Sequence, residues 1–182
     1  QDSDNDGLSD DDEINNILSD ALLNDTDGDF LSDGDEYLVY FTDIFDSDSD
    51  DDFLSDGEEI LIFFTEPLES DTDSDGILDG VEIQLGINPL SVDSDGDTLI
   101  DGDEVNIYLT DPSSSDSDAD NLLDNIELSM GLSPTDADTD NDQLNDGLEV
   151  NLYFTNPLDS DTDQDLIEDG QEVILYQTDP LN

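Results

Sequence analysis

Asp71, Asp73, Asp75, Asp79 and Glu82 stand at places 1, 3, 5, 9 and 12 of a twelve-residue stretch, D-T-D-S-D-G-I-L-D-G-V-E, with Gly76 at place 6. Carboxylates at this spacing can converge on one hard cation. Ca²⁺ takes six to eight oxygen ligands at roughly 2.3–2.6 Å, and a loop of this length supplies them from places 1, 3, 5, 7, 9 and 12. Place 7 lends a backbone carbonyl, here from Ile77, and the terminal Glu can bind through both oxygens. Mg²⁺ fits less well, because it demands a small octahedral shell and keeps its waters.

The stretch recurs eight times, starting at Asp2, Asp25, Asp48, Asp71, Asp93, Asp116, Asp138 and Asp161, in steps of 23, 23, 23, 22, 23, 22 and 23 residues. Loop 1 offers Asp2, Asp4, Asp6, Leu8, Asp10 and Glu13; loop 2 offers Asp25, Asp27, Asp29, Leu31, Asp33 and Glu36. Loop 3 has Asp48, Asp50, Asp52, Leu54, Asp56 and Glu59, and loop 5 has Asp93, Asp95, Asp97, Leu99, Asp101 and Glu104. Loop 6 has Asp116, Asp118, Asp120, Leu122, Asp124 and Glu127. Loop 7 has Asp138, Asp140, Asp142, Leu144, Asp146 and Glu149; loop 8 has Asp161, Asp163, Asp165, Ile167, Asp169 and Glu172. Place 7 is always Leu or Ile, whose side chain should point into apolar packing while its carbonyl faces the ion. The chain reads as one array, residues 1–182, of eight repeats: 1–24, 25–47, 48–70, 71–92, 93–115, 116–137, 138–160 and 161–182. Its two ends stand at about the same phase, as expected of a window cut from a longer array or of a unit able to continue head to tail.

Composition sharpens the metal reading. There are 56 acidic residues and no Lys, Arg or His. Two carboxylates 4 Å apart repel by about 4 kcal/mol at an effective dielectric near 20, and no internal base can relieve this. High net charge with modest hydrophobicity favours disorder, yet the chain is 33% apolar and its apolar residues are regularly placed. Multivalent cations from outside are the economical balance. Without Lys or Arg, nucleic-acid phosphates and anionic membrane surfaces are excluded as partners. Without His or Cys there is no zinc site of the usual kind and no histidine or thiol catalyst. Acid–base catalysis needs two carboxyls in distinct environments, whereas here every site repeats the same one, so the chain reads as no enzyme.

Between loops, connectors carry apolar residues one, three and five places after the Glu, as in Ile60, Ile62 and Phe64. Period two suits a short strand. Tyr40, Phe63, Tyr108, Tyr153 and Tyr176 add an apolar place at plus four, which suits a helix of about two turns, and Ser or Asp at places 8 and 9 can cap it. Aromatics such as Tyr40, Phe64, Tyr108 and Tyr153 are expected to pack between repeats. Most connectors then end on a proline turn: Pro67, Pro89, Pro112, Pro134, Pro157 and Pro180.

Only 10 or 11 residues separate successive loops, too few for the two flanking helices of an EF-hand. The sequence instead resembles the thrombospondin type 3 repeat, especially its bacterial form. Segments such as Asp161–Leu181, D-T-D-Q-D-L-I-E-D-G-Q-E-V-I-L-Y-Q-T-D-P-L, carry the likeness, which runs over essentially the whole chain. The resemblance implies a calcium-bound, extracellular, elongated array of the kind found in stalks and adhesins, with the loop carboxylates as ligands. One departure stands out. Place 6 is Gly only in Gly7 and Gly76; elsewhere it is Phe30, Phe53, Thr98, Asn121, Gln143 or Leu166. Either those turns are rebuilt or those side chains pack on neighbouring repeats.

The expected fold is thus a solenoid-like elongated array of calcium-clipped loops, with short helices or extended connectors and little regular secondary structure. The expected ligand is Ca²⁺, one or two per repeat, the second bridging successive repeats. The expected role is a rigid extracellular or cell-surface rod, stalk or filament. Its partners would be further copies of itself, joined head to tail or laterally, or flanking repeats of a longer chain. The alternative is a soluble calcium reservoir or mineral-binding polyanion, which needs no ordered connector.

Overall fold

The computed structural model describes residues 1–182, which divide into two compact units, Gln1–Val92 and Asp93–Asn182. Each unit contains four repeats, and no strand forms in either. The helical alternative for the connectors is the one realised.

Every repeat has a coiled loop over places 1–8 and a helix from place 9. These helices are α1 (Asp10–Asp12), α2 (Asp33–Asp35), α3 (Asp56–Glu58), α4 (Asp79–Leu85), α5 (Asp101–Asp103), α6 (Asp124–Met130), α7 (Asp146–Leu148) and α8 (Asp169–Gln171). In three of them a serine at place 8 caps the start: Ser9, Ser32 and Ser55 accept from the N–H of Asp12, Asp35 and Glu58. Asn145 does the same for α7.

Repeat length decides how the helix ends. In the two repeats that lie 22 residues from the start of the next loop, 71–92 and 116–137, α4 and α6 run seven residues and stop at Gly86 and Gly131, both at φ 81°. The N–H of the next residue, Ile87 or Leu132, returns to the carbonyl of Glu82 or Glu127, the bond pattern of a glycine-terminated helix. In the other six repeats one more residue is absorbed as one turn of π-helix, such as Glu36–Tyr40 or Glu59–Phe63. Single-residue insertions into helices take this form. The turn closes on a left-handed residue that is not glycine: Leu18, Phe41, Phe64, Leu109, Phe154 and Gln177. The first five of these are more than two-thirds exposed. Phe64 therefore does not pack between repeats, and Tyr108 is also exposed, because the helix end turns both toward solvent.

A proline then enters the second place of a tight turn and is buried, as in Glu66–Glu69, where the Glu69 N–H meets the Glu66 carbonyl at 2.9 Å. Ile44 fills the same buried place in the second repeat.

Successive repeats dock through place 10. A Cβ built on Gly34, Gly57 or Gly80 would lie 2.0–2.4 Å from the carbonyl oxygen of Asp6, Asp29 or Asp52 in the preceding repeat. In the second unit Gly147 and Gly170 meet the carbonyls of Asp120 and Asp142 in the same way. No real Cβ fits at that range, so glycine recurs there for a reason that lies in the neighbouring repeat.

Candidate metal centre

The interior of each unit is built largely of acids. Leu8, Leu31, Leu54, Ile77, Leu122 and Leu144 at place 7 are buried, as expected; Leu99 and Ile167 are half-buried. Yet the largest fully enclosed side chains include the place-12 glutamates of all eight loops.

Hydrogen bonds shape the loop before any ion is considered. Asp48 at place 1 accepts from the N–H of Asp52 and Phe53, and Asp52 at place 5 accepts from Leu54 at 2.7 Å. These bonds hold place 6 in the left-handed region even where it is not glycine: Phe30 at φ 81°, Phe53 at 83° and Leu166 at 82°. Neither expectation for place 6 is met. The turn is unchanged, and Phe30, Phe53 and Leu166 point into solvent.

With the loop so folded, Asp25, Asp27 and Asp29 (places 1, 3 and 5) bring carboxylate oxygens within 4.8 Å of one another, as do Asp2, Asp4 and Asp6, and Asp48, Asp50 and Asp52. A second grouping crosses the repeat boundary. Asp6 and Glu13 of loop 1 meet Asp33 of loop 2, and Asp52 and Glu59 of loop 3 meet Asp79 of loop 4. Place 9 of one repeat thus faces places 5 and 12 of the preceding one. Its carboxylate is also tied to its own loop: Asp56 accepts from the Ser49 N–H at 2.9 Å and the Ser49 hydroxyl at 2.7 Å.

The residues at place 2 (Thr26, Ser49, Thr72, Ser117, Thr139), which serve place 9 in this way, escape a reading confined to carboxylates. So does a threonine six residues after the Glu. Thr65 donates to Oε1 of Glu59 at 3.0 Å, and Thr110 and Thr155 do the same for Glu104 and Glu149. The signal was legible: threonine stands there at Thr42, Thr65, Thr110, Thr155 and Thr178, whereas after the shorter helix ends Ile87 or Leu132, five residues after the Glu, takes the corresponding position.

The other oxygen is left over. Oε2 of Glu36, Glu59, Glu104, Glu149 and Glu172 is buried without a hydrogen-bond partner, as are both oxygens of Glu13, Glu127, Asp4 and Asp50. Buried polar atoms are ordinarily paired, and a buried charge without a partner is strongly unfavourable. Burial, with neighbouring acids adding to it, pushes Glu36, Glu59, Glu127 and Glu149 up to about 8 and Glu104 to about 7. Asp27, Asp50, Asp73, Asp118 and Asp140 rise to about 6 for the same first cause. A set of hard oxygen donors with no nitrogen or sulfur fits Ca²⁺ rather than a transition metal. Bound there, the ion would supply the positive charge that the chain lacks.

The model of the bacterial TSP3 repeat matches residues 2–16, 71–91, 138–160 and 161–182. These four stretches are similar to the bacterial TSP3 repeat, a calcium-binding repeat type, and the remaining loops keep their spacing. No curated protein matches the chain. Among solved structures, the B domain of a biofilm associated protein is 42% identical over 25% of this chain and 11% of its own, with a TM-score of 0.25. The BSP domain of a biofilm associated protein is 52% identical over 24% of this chain and 8% of its own, with a TM-score of 0.24. The shared segments are thus a small part of each protein. No helix of the chain is long and apolar enough to cross a membrane.

Proposed function

We propose that the chain is a structural calcium-binding array, a rod, stalk or filament element whose order depends on Ca²⁺ and which works outside the cell or on its surface. One observation carries this: enclosed place-12 glutamates with unpartnered oxygens, in a chain without a single basic side chain. Nine buried apolar residues among 182 form too small a core to hold such charges together unaided. At about 1.5–3 kcal/mol for each fully buried side chain, they fall far short of the conformational entropy of ordering the backbone. Metal binding supplies folding free energy in such cases.

Places 1, 3, 5 and 12, with the place-7 carbonyl, would hold one ion per loop. Places 5 and 12, with place 9 of the following repeat, would hold a second between successive repeats. Place 9 then acts across the boundary rather than only within its own loop, and calcium fastens one repeat to the next. Extracellular calcium-binding modules operate at roughly 10⁻⁴–10⁻³ M, a concentration that the outside of a cell provides. No catalytic step belongs to this reading.

Removal of metal tests it. With excess EDTA at neutral pH, the far-ultraviolet helical signal should fall cooperatively and the hydrodynamic dimensions should change. A signal indifferent to EDTA would instead describe a passive polyanion.

A further inference from the structure

The place-12 glutamates are of two kinds, divided by a hydroxyl. In loops 3, 5 and 7 the buried threonines Thr65, Thr110 and Thr155 donate to Oε1 of Glu59, Glu104 and Glu149 at 2.9–3.0 Å, which leaves only Oε2 without a partner. In loop 6 the shorter helix end puts the buried Leu132 in the corresponding position, and both oxygens of Glu127 are enclosed without a partner. Serine does not substitute: Ser19 stands six residues after Glu13, yet its enclosed hydroxyl and both oxygens of Glu13 are unpartnered. Threonine differs from it by the methyl that stiffens χ1.

Burial does not require the hydroxyl, since Glu59, Glu104, Glu127 and Glu149 are all fully enclosed. What the hydroxyl changes is the number of oxygens a glutamate has left for an ion. Choice between Ca²⁺ and Mg²⁺ turns on ligand number and flexibility: Mg²⁺ demands a small octahedral shell and keeps its waters, whereas Ca²⁺ accepts further oxygens. We propose that Thr65, Thr110 and Thr155 determine ion selectivity. Each holds its glutamate to one oxygen for the metal, so that loops 3, 5 and 7 admit Mg²⁺ when it is in excess. Loop 6, with both oxygens of Glu127 to offer, takes Ca²⁺ alone. This rests on the calcium reading proposed above and adds which loops tolerate competition. The threonines are positioning residues, acting through the glutamates they hold.

Native mass spectrometry tells the two ions apart by mass and tests this on the full chain, first in Ca²⁺ alone and then with Mg²⁺ in large excess over Ca²⁺. In the mixture the parent should carry both ions. Thr110→Val and Thr155→Val remove the hydroxyl and keep the shape. At saturating metal each should hold the parent's total number of ions and its helical signal, but with one Mg²⁺ exchanged for one Ca²⁺; the double variant should exchange two. Glu127→Gln should lose Ca²⁺ and no Mg²⁺. The proposal is overturned if the parent carries Ca²⁺ alone in the mixture, if the valine variants carry the parent's number of each ion, or if Glu127→Gln costs Mg²⁺. It is also overturned if both valine variants lose an ion or unfold without exchange, which would make the hydroxyls supports only. Calcium uptake from Ca²⁺ alone, with no Mg²⁺ taken from the mixture, would leave the calcium reading standing and remove this one. No calcium uptake in either buffer would remove both.

Discussion

Glu59 shows at the scale of one residue how the site is assembled. Its Oε1 takes the Thr65 hydroxyl, and its Oε2 is enclosed with no partner. Glu59→Gln keeps the shape but removes the charge, so the ion count should fall by at least one and the melting temperature in Ca²⁺ should drop. An unchanged count would separate Glu59 from the metal. Thr65→Val removes only the support. Groups that orient a metal ligand contribute about 10–100-fold to affinity, and a calcium titration with the single-site variant should show a loss in that range. The carboxylates and their register could be read directly from the sequence, because spacing along one loop is local. The threonine was written there too, but its partner lies six residues back across a turn whose geometry only the fold reveals.

At the scale of the element, the left-handed residue at place 6 of the loop and the docking glycine make opposite predictions. Gly57→Ala places a Cβ 2.1 Å from the Asp29 carbonyl, and a methyl forced into a packed contact costs about 1–3 kcal/mol or more. Thermal unfolding in Ca²⁺ should register that loss. Phe53→Gly relieves a left-handed residue that is largely exposed, so stability should rise by about 1 kcal/mol. The step lengths of 22 and 23 already encoded two kinds of helix end, glycine-terminated α and π-turn. The role of glycine at place 10 was hidden because its steric partner is in another repeat.

Over the whole molecule, charge governs behaviour. In the metal-free fold, burial lifts Glu36, Glu59, Glu127 and Glu149 from an ordinary value near 4.5 to about 8. Between those limits the fold holds more protons than the unfolded chain, so the metal-free fold weakens as pH rises from about 4.5 through 8. In EDTA, circular dichroism should therefore show more helix at pH 5 than at pH 8; equal signals would contradict the burial of these groups. On the proposed function calcium takes the place of those protons at neutral pH, which makes ion counting the most direct test of all. Native mass spectrometry of the chain from calcium-containing buffer should show at least eight bound Ca²⁺, one for each loop. A fully loaded species carrying fewer than eight would contradict the account.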